Sequence, residues 1–353
     1  MTIAPHRVAL LALEDCYASS VAGFADVFHV ANAHLRQQFG ASARFYEWRF
    51  VSAGGAAVRA SNGLPLACEG GLEAAPWDLV CVPGLYYRGR EAFAARLAAW
   101  AAQRDWLRAQ WEGGAVLAAN CTGTFVLAET GLLAGRQATT TWWLEGQFRR
   151  GYPAVRLQPR AVVTDEDRLC CAGASASWLL QAVRMVERFS GAAIATRTAR
   201  AMLIDVAQTT QLPYLPLQVE AGHDDVLVAR AQHWLHQHLA EPVRLAALAA
   251  ELAVSERTLI RRFKTATGTA PVAWLQTLRL DTARRLLEGS GARVEEVANR
   301  VGYQDASAFA RLFREQVGMS PGAYRTRFRG GAAGQGGLAQ AVDGEGEQGA
   351  AGS

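Results

Sequence analysis

Long apolar runs are missing from this 353-residue chain. No stretch approaches the about 20 consecutive apolar residues of a bilayer-spanning helix. The start, MTIAPHRVALLALEDC, sets acids directly after a short apolar stretch, unlike a secretory signal. A soluble cytoplasmic protein with no membrane partner is expected. Six cysteines (Cys16, Cys68, Cys81, Cys121, Cys170, Cys171) include no CxxC and no His/Cys cluster at metal spacing. That argues against zinc and against a disulfide framework, and no cofactor is expected. Histidine is absent between His34 and His223, and Lys264 is the one lysine among 36 basic residues. Net charge is only +4, but it is uneven: residues 224–329 hold 16 Lys/Arg against 11 Asp/Glu. A basic excess at one end suits a nucleic-acid domain, though alone it is weak evidence.

What the chain does contain is one helical unit written twice. LAALAAELAVSERTLIRRFKTATGTAPVAWLQ aligns with VEEVANRVGYQDASAFARLFREQVGMSPGAYRT. Leu245, Leu248, Ala249 and Leu252 pair with Val294, Val297, Ala298 and Val301 at an offset of 49. Leu259, Phe263, Gly268, Pro271 and Trp274 pair with Phe309, Phe313, Gly318, Pro321 and Tyr324 at an offset of 50. Such a period marks a duplicated supersecondary unit. Each copy reads as a helix-turn-helix, with a supporting helix apolar at i, i+3, i+4 and i+7 and Ser255 or Gly302 at the turn. The second helix of the first copy carries Leu259 and Phe263 inward, leaving Arg257, Arg261, Arg262 and Lys264 for a major groove between phosphates. Ser307, Arg311 and Arg314 are the outward candidates of the second copy. Of these, Arg257, Arg261, Ser307 and Arg311 are expected at base edges, and Arg262, Lys264 and Arg314 nearer phosphates.

Residues 225–328 resemble an AraC-type DNA-binding domain, whose signature GYQDASAFARLFREQVGMSPGAYR follows in its Gly-aromatic, Phe, Phe-Arg, Gly and Ser-Pro-x-x-Tyr-Arg positions. The resemblance implies two helix-turn-helix units joined by a long helix over Val272 to Glu288, contacting adjacent major-groove segments on one face of double-stranded DNA.

Ahead of this, short apolar strands alternate with helices. Strands are expected at His6–Leu13, Arg44–Ser52, Asp78–Val82 and Ala115–Asn120, with a helix over Glu91 to Trp111. The alternation indicates an α/β sandwich with a mostly parallel sheet, followed by an all-α domain. The expected division is 1–205 for ligand sensing and dimerisation, 206–223 as linker, 224–329 for DNA binding, and a disordered Gly/Ala-rich tail over 330–353.

AVLAANCTGTFVLAETGLL delivers Cys121 from a strand into a sharp turn at a helix start, the layout of a nucleophile elbow. Nearby backbone N–H groups would favour a thiolate or hold an oxyanion. WDLVCVPGL, AANCTGTFVLAETGLLAG, ATTTWW and CCAGASAS resemble the PfpI-type, glutamine-amidotransferase-like fold, and with the C-terminal match the chain resembles GlxA-like regulators. A hydrolytic cysteine needs a base, usually histidine. In that family the run after the elbow often reads Thr-Thr-His-Trp, whereas Thr140-Thr141-Trp142 stands here, and Ser20 falls where an acid often lies.

No catalytic residue is therefore assigned. Cys121 is read as lining a degenerate pocket, or as a plain buried cysteine. The pocket candidates are Gly84, Leu85, Cys121, Thr122, Thr141 and Trp142, with backbone donors suited to a carboxylate and tryptophan faces suited to a cation. The resemblance adds a small amino-acid-like or betaine-like effector, RNA polymerase as partner, a homodimer, and activation of transcription. The competing reading is a cysteine-dependent amidase or deglycase with a helical DNA-binding appendage.

Overall fold

The structure is a computed structural model and describes residues 3–73, 76–215 and 225–329. The expected tail, 330–353, and residues 216–223 of the expected linker lie outside the described residues. The chain divides into two compact units between Gln211 and Leu212.

In the first unit the chain runs β1 (His6–Leu11), α1 (Ala18–Phe39), β2 (Tyr46–Val51), β3 (Val58–Arg59), β4 (Pro65–Leu66), β5 (Leu79–Val82), α2 (Arg90–Ala99) and α3 (Ala101–Glu112). It continues through β6 (Val116–Asn120), α4 (Gly123–Glu129), β7 (Gln137–Ala138), α5 (Glu145–Gly151), β8 (Arg156–Leu157), β9 (Val163–Glu166), β10 (Leu169–Ala172), α6 (Trp178–Ser190) and α7 (Ala192–Ala201). A six-stranded sheet has the order β2-β1-β5-β6-β10-β9. All its pairings are parallel except β10 with β9. β5, β6 and β10 are buried along their whole length, which is why they read as unbroken apolar runs; a parallel sheet is covered on both faces. β2 alternates in burial because it is an edge strand. The single helix expected over 91–111 is two helices, interrupted at Trp100, which leaves helical geometry at φ −95° and ψ 45°.

Thr209 to Gln211, expected in the linker, are tied into the first unit. The Gln211 side-chain nitrogen donates to Ala161 O at 2.9 Å and to Thr139 Oγ1 at 3.2 Å, and its oxygen accepts from the Ala174 amide at 2.8 Å. A polar side chain in a loop reads as solvated; here it satisfies a set of buried loop carbonyls.

His6 opens β1 with its ring packed against Tyr46 and Phe189, centroids 5.2 and 5.0 Å away. Burial, reinforced by the Arg44 charge, holds its pKa down to about 4, so the ring is neutral in the fold. Because the folded value lies below the unfolded one, the contribution is complete above pH 6.5 and is lost as pH falls toward 4. The full difference is about 3 kcal/mol. Urea unfolding at pH 7.5 and 4.5 should show a larger acid loss for the native chain than for His6→Phe, which keeps the ring packing without the titration.

The second unit holds α8 (Val226–Gln237), α9 (Leu245–Glu251), α10 (Glu256–Thr267), α11 (Pro271–Gly289), α12 (Val294–Arg300), α13 (Ala306–Val317) and α14 (Pro321–Phe328). The sequence repeat becomes two separate cores. Leu248, Ala249, Leu252, Leu259, Phe263 and Trp274 are buried in one; Val297, Ala298, Val301, Phe309, Phe313 and Tyr324 are buried in the other. Both copies set the same pair edge to face: Phe263 on Trp274 at 5.8 Å, and Phe313 on Tyr324 at 5.5 Å. Gly268 and Gly318 end α10 and α13 in the left-handed conformation, and Pro271 and Pro321 begin the helices that follow. α11 is the long connecting helix and supplies residues to both cores.

Candidate functional site

α10 begins at Ser255, whose hydroxyl accepts from the Thr258 amide, and α13 begins at Asp305, whose carboxylate accepts from the Ser307 amide. Each helix buries residues four apart, Leu259 and Phe263 in α10 and Phe309, Phe313 and Val317 in α13. At 3.6 residues per turn, the opposite side of α10 is Arg257, Arg261 and Lys264, and that of α13 is Ser307, Arg311 and Arg314. All six are exposed. They are also repeat-equivalent at the offset of 50. Among the described residues, no salt bridge occupies the five cations.

Arg262, expected near phosphates, carries an ion pair within the fold. Its guanidinium grips Asp225 in a bidentate pair, Nε at 2.9 Å and Nη2 at 2.6 Å, and the same carboxylate caps α8. The side-chain hydrogen bonds from Arg262 hold the Asp225 carboxyl below its ordinary pKa. Leu312 occupies the equivalent place in α13 and packs on the second core. The position thus lies on the flank of the helix, where either an apolar contact or an ion pair holds a neighbour.

One residue of this unit had no signal in the sequence. Arg279 of α11 donates to Leu239 O at 2.9 Å and Glu241 O at 2.7 Å, while its guanidinium stands 5.5 Å from the Tyr303 ring. It links the loop before α9 to the turn between α12 and α13, and so fixes one helix-turn-helix against the other. Its partners are backbone atoms about 40 residues upstream, which no local spacing reveals.

In the first unit, the C-terminal ends of β5 and β6 carry Pro83–Leu85 and Cys121–Thr122, the edge where open α/β sheets bind ligands. Cys121 has φ 54°, the strained turn of an elbow. The turn is tightly built. Asn120 Oδ1 accepts from the Gly84 amide at 2.7 Å, and Thr122 Oγ1 accepts from the Leu85 amide at 2.6 Å while donating to Leu85 O at 2.8 Å. The Cys121 amide donates to Ala172 O, and Thr140 Oγ1 donates to Cys121 O at 2.7 Å. A Cβ on Gly123 would stand 2.3 Å from Pro83 O, so only glycine lets α4 approach β5 this closely.

Around this turn the amides of Gly84, Leu85 and Cys121 are engaged within the fold, and the Thr122 amide contacts the Cys121 thiol. Gly84, Leu85, Cys121, Thr122 and Thr141 are buried, and only Trp142 among the pocket candidates is partly exposed. Cys121 is 1% exposed, and burial pushes its thiol up to about 11 despite opposing contacts from Thr122 and the Thr141 hydroxyl. Thr141 Oγ1 is itself buried without an oxygen or nitrogen partner. Tyr17, after β1, covers the turn: its amide donates to Gly84 O, and a Cβ on Gly84 would meet the Tyr17 ring at 3.3 Å. Among the described residues, no cluster of three or more His, Cys, Asp or Glu is placed to hold a metal, and no helix is long and apolar enough to cross a membrane.

Comparison with known proteins agrees with this division. Residues 25–185 match the DJ-1/PfpI family, and residues 248–327 match a helix-turn-helix domain. The chain is 29% identical over 282 residues to the HTH-type transcriptional regulator CdhR of Pseudomonas aeruginosa, covering 79% of this chain and 81% of the relative. It is 26% identical over 319 residues to the HTH-type transcriptional regulator GbdR of Pseudomonas aeruginosa, covering 90% and 83%. The HTH-type transcriptional activator RhaS of Salmonella schwarzengrund is 34% identical over 141 residues, 40% of this chain and 51% of the relative. The first unit is therefore similar to the DJ-1/PfpI family and the second to helix-turn-helix domains, and most of the chain's length is similar to relatives named as HTH-type transcriptional regulators.

Proposed function

We propose that the protein is a sequence-specific DNA-binding transcriptional regulator, an activator, with its DJ-1/PfpI domain serving as effector sensor. The observation that carries this reading is the pair of repeat-equivalent helix faces, Arg257, Arg261 and Lys264 on one and Ser307, Arg311 and Arg314 on the other. Arg257, Arg261, Ser307 and Arg311 read base edges, while Lys264 and Arg314 contact phosphates. The similarity to CdhR, GbdR and RhaS, each named a transcriptional regulator or activator, supports the assignment. RNA polymerase is the natural partner of an activator, and homodimerisation through residues 1–205 belongs to the same reading. So does cytoplasmic localisation, where the DNA lies.

The elbow is inherited as a binding place and performs no hydrolysis. Its thiol stays protonated at neutral pH, whereas a nucleophile must be a thiolate. No histidine follows His34 before His223, and His6 stands at the start of β1, the opposite end of the sheet from the turn after β6. A small effector would lie over Thr141, Trp142 and Cys121, with the Thr141 hydroxyl, which has no oxygen or nitrogen partner, as its polar anchor and aromatic faces for a cationic amino-acid-like or betaine-like group.

Cys121→Ala tests this directly. The variant is expected to enrich the same genomic fragments as the native protein; an amidase or deglycase activity abolished by the substitution would replace the reading. The two classes of cation are separable as well. Lys264→Ala should reduce the slope of log affinity against log salt by about 1, and Arg262→Ala, already neutralised by Asp225, should leave it unchanged. A slope lowered equally by both would return Arg262 to the phosphate contacts.

A further inference from the structure

Ile260 is 36% exposed on α10, a helix whose neighbouring Leu259 and Phe263 are fully buried. It takes no part in the core that those two residues build. Its surface neighbours at i−3 and i+4 are Arg257 and Lys264, so a four-carbon branched side chain stands inside a stripe of strongly hydrated cations. Folding gains nothing from the third of its surface that stays in water. The repeat-equivalent residue in α13 is Ala310, also apolar and partly exposed. Both copies therefore keep hydrocarbon at the same point of an otherwise polar face.

We propose that Ile260 is a base-reading residue that packs on the C5-methyl of one thymine in the half-site of the first helix-turn-helix. The chemistry of the groove permits little else: of the groups on base edges in the major groove, the thymine methyl is the apolar one. Arg257, one turn before, reads a base edge and Lys264, one turn after, meets a phosphate, which leaves Ile260 beside the bases between them. Ala310 has the same character with less reach, so discrimination for thymine is steeper in the first half-site than in the second. The proposal rests on the DNA-reading assignment of α10.

The test uses the full-length chain. A duplex library is first enriched on the native protein, and each thymine of the best site is then replaced singly by deoxyuridine, which deletes only the methyl. The native protein is expected to lose about fourfold in affinity at one thymine of the first half-site, the value of one buried methyl group. Ile260→Ala should lose nothing further at that position while responding normally to every replacement in the second half-site, which also shows that the variant is folded. If Ile260→Ala responds at every thymine as the native protein does, or if the native protein is indifferent to all of them, the assignment of Ile260 is overturned. Enrichment of no sequence by the native protein would overturn this assignment and the regulator reading together.

Discussion

Replacing Arg261 and Arg311 together by alanine is expected to cost about 2–6 kcal/mol in the preference for a selected site over random duplex, at about 1–3 kcal/mol for each base-reading arginine. The two side chains occupy the same position of the repeat, directly across α10 and α13 from Leu259–Phe263 and Phe309–Phe313. Both are exposed and neither is held by a salt bridge among the described residues, so their donors are available to a guanine edge. Removing them leaves the two cores untouched. The fold should therefore persist, and non-specific affinity should largely remain with Lys264 and Arg314. Competition binding of selected against random duplex separates the outcomes: a double variant that discriminates as well as the native protein would mean that other residues read the bases.

Alanine at Gly302 should have the largest effect on stability of any single methyl addition in the second unit, about 2–5 kcal/mol. Two penalties add there. The backbone sits at φ 83°, which L-residues disfavour, and a Cβ would lie 2.9 Å from both Leu239 O and Arg279 Nη2 and 3.0 Å from the Ala240 carbonyl carbon. The crowding arises because residues 239–241, Arg279 and Tyr303 close together around this turn. Separating them loosens one helix-turn-helix from the other, so Gly302→Ala should weaken binding to a two-part site more than to either half alone. The first copy supplies the control. Its equivalent residue, Ala253, adopts φ 54° on an exposed turn, so Ala253→Gly should leave stability unchanged or raise it. Urea unfolding of both variants decides the matter, and equal small effects would show that the Gly302 turn bears no such load.

The repeat was legible because it is written in periodic apolar residues: the aligned pairs Leu248 with Val297, Ala249 with Ala298, Leu252 with Val301, Leu259 with Phe309, Phe263 with Phe313 and Trp274 with Tyr324 are all buried. The strands of the first unit were legible for the related reason that a parallel sheet leaves continuous apolar runs at Leu79–Val82 and Val116–Asn120. Less accessible were features settled by partners far away in the chain. Arg262 looks like its neighbour Arg261 in sequence, yet Asp225 turns it into a clamp on α8. Gln211 looks like linker but fills a cluster of loop carbonyls. The elbow was recognised from Asn120-Cys121-Thr122-Gly123, whereas the engagement of the Gly84 and Leu85 amides by Asn120 and Thr122 is a matter of side-chain reach that spacing does not encode. Trp100 divides what periodicity joined, since the apolar pattern runs on through a break set by the backbone.

The measurement that bears most directly on the account is sequencing of the genomic fragments retained by the purified full-length protein against bulk competitor DNA. Two short conserved elements, centred about 10 base pairs apart on one face of the duplex, are expected, one for α10 and one for α13. A retained set with no common element, or with a single element unaffected by substitutions in α13, would contradict a tandem reading head.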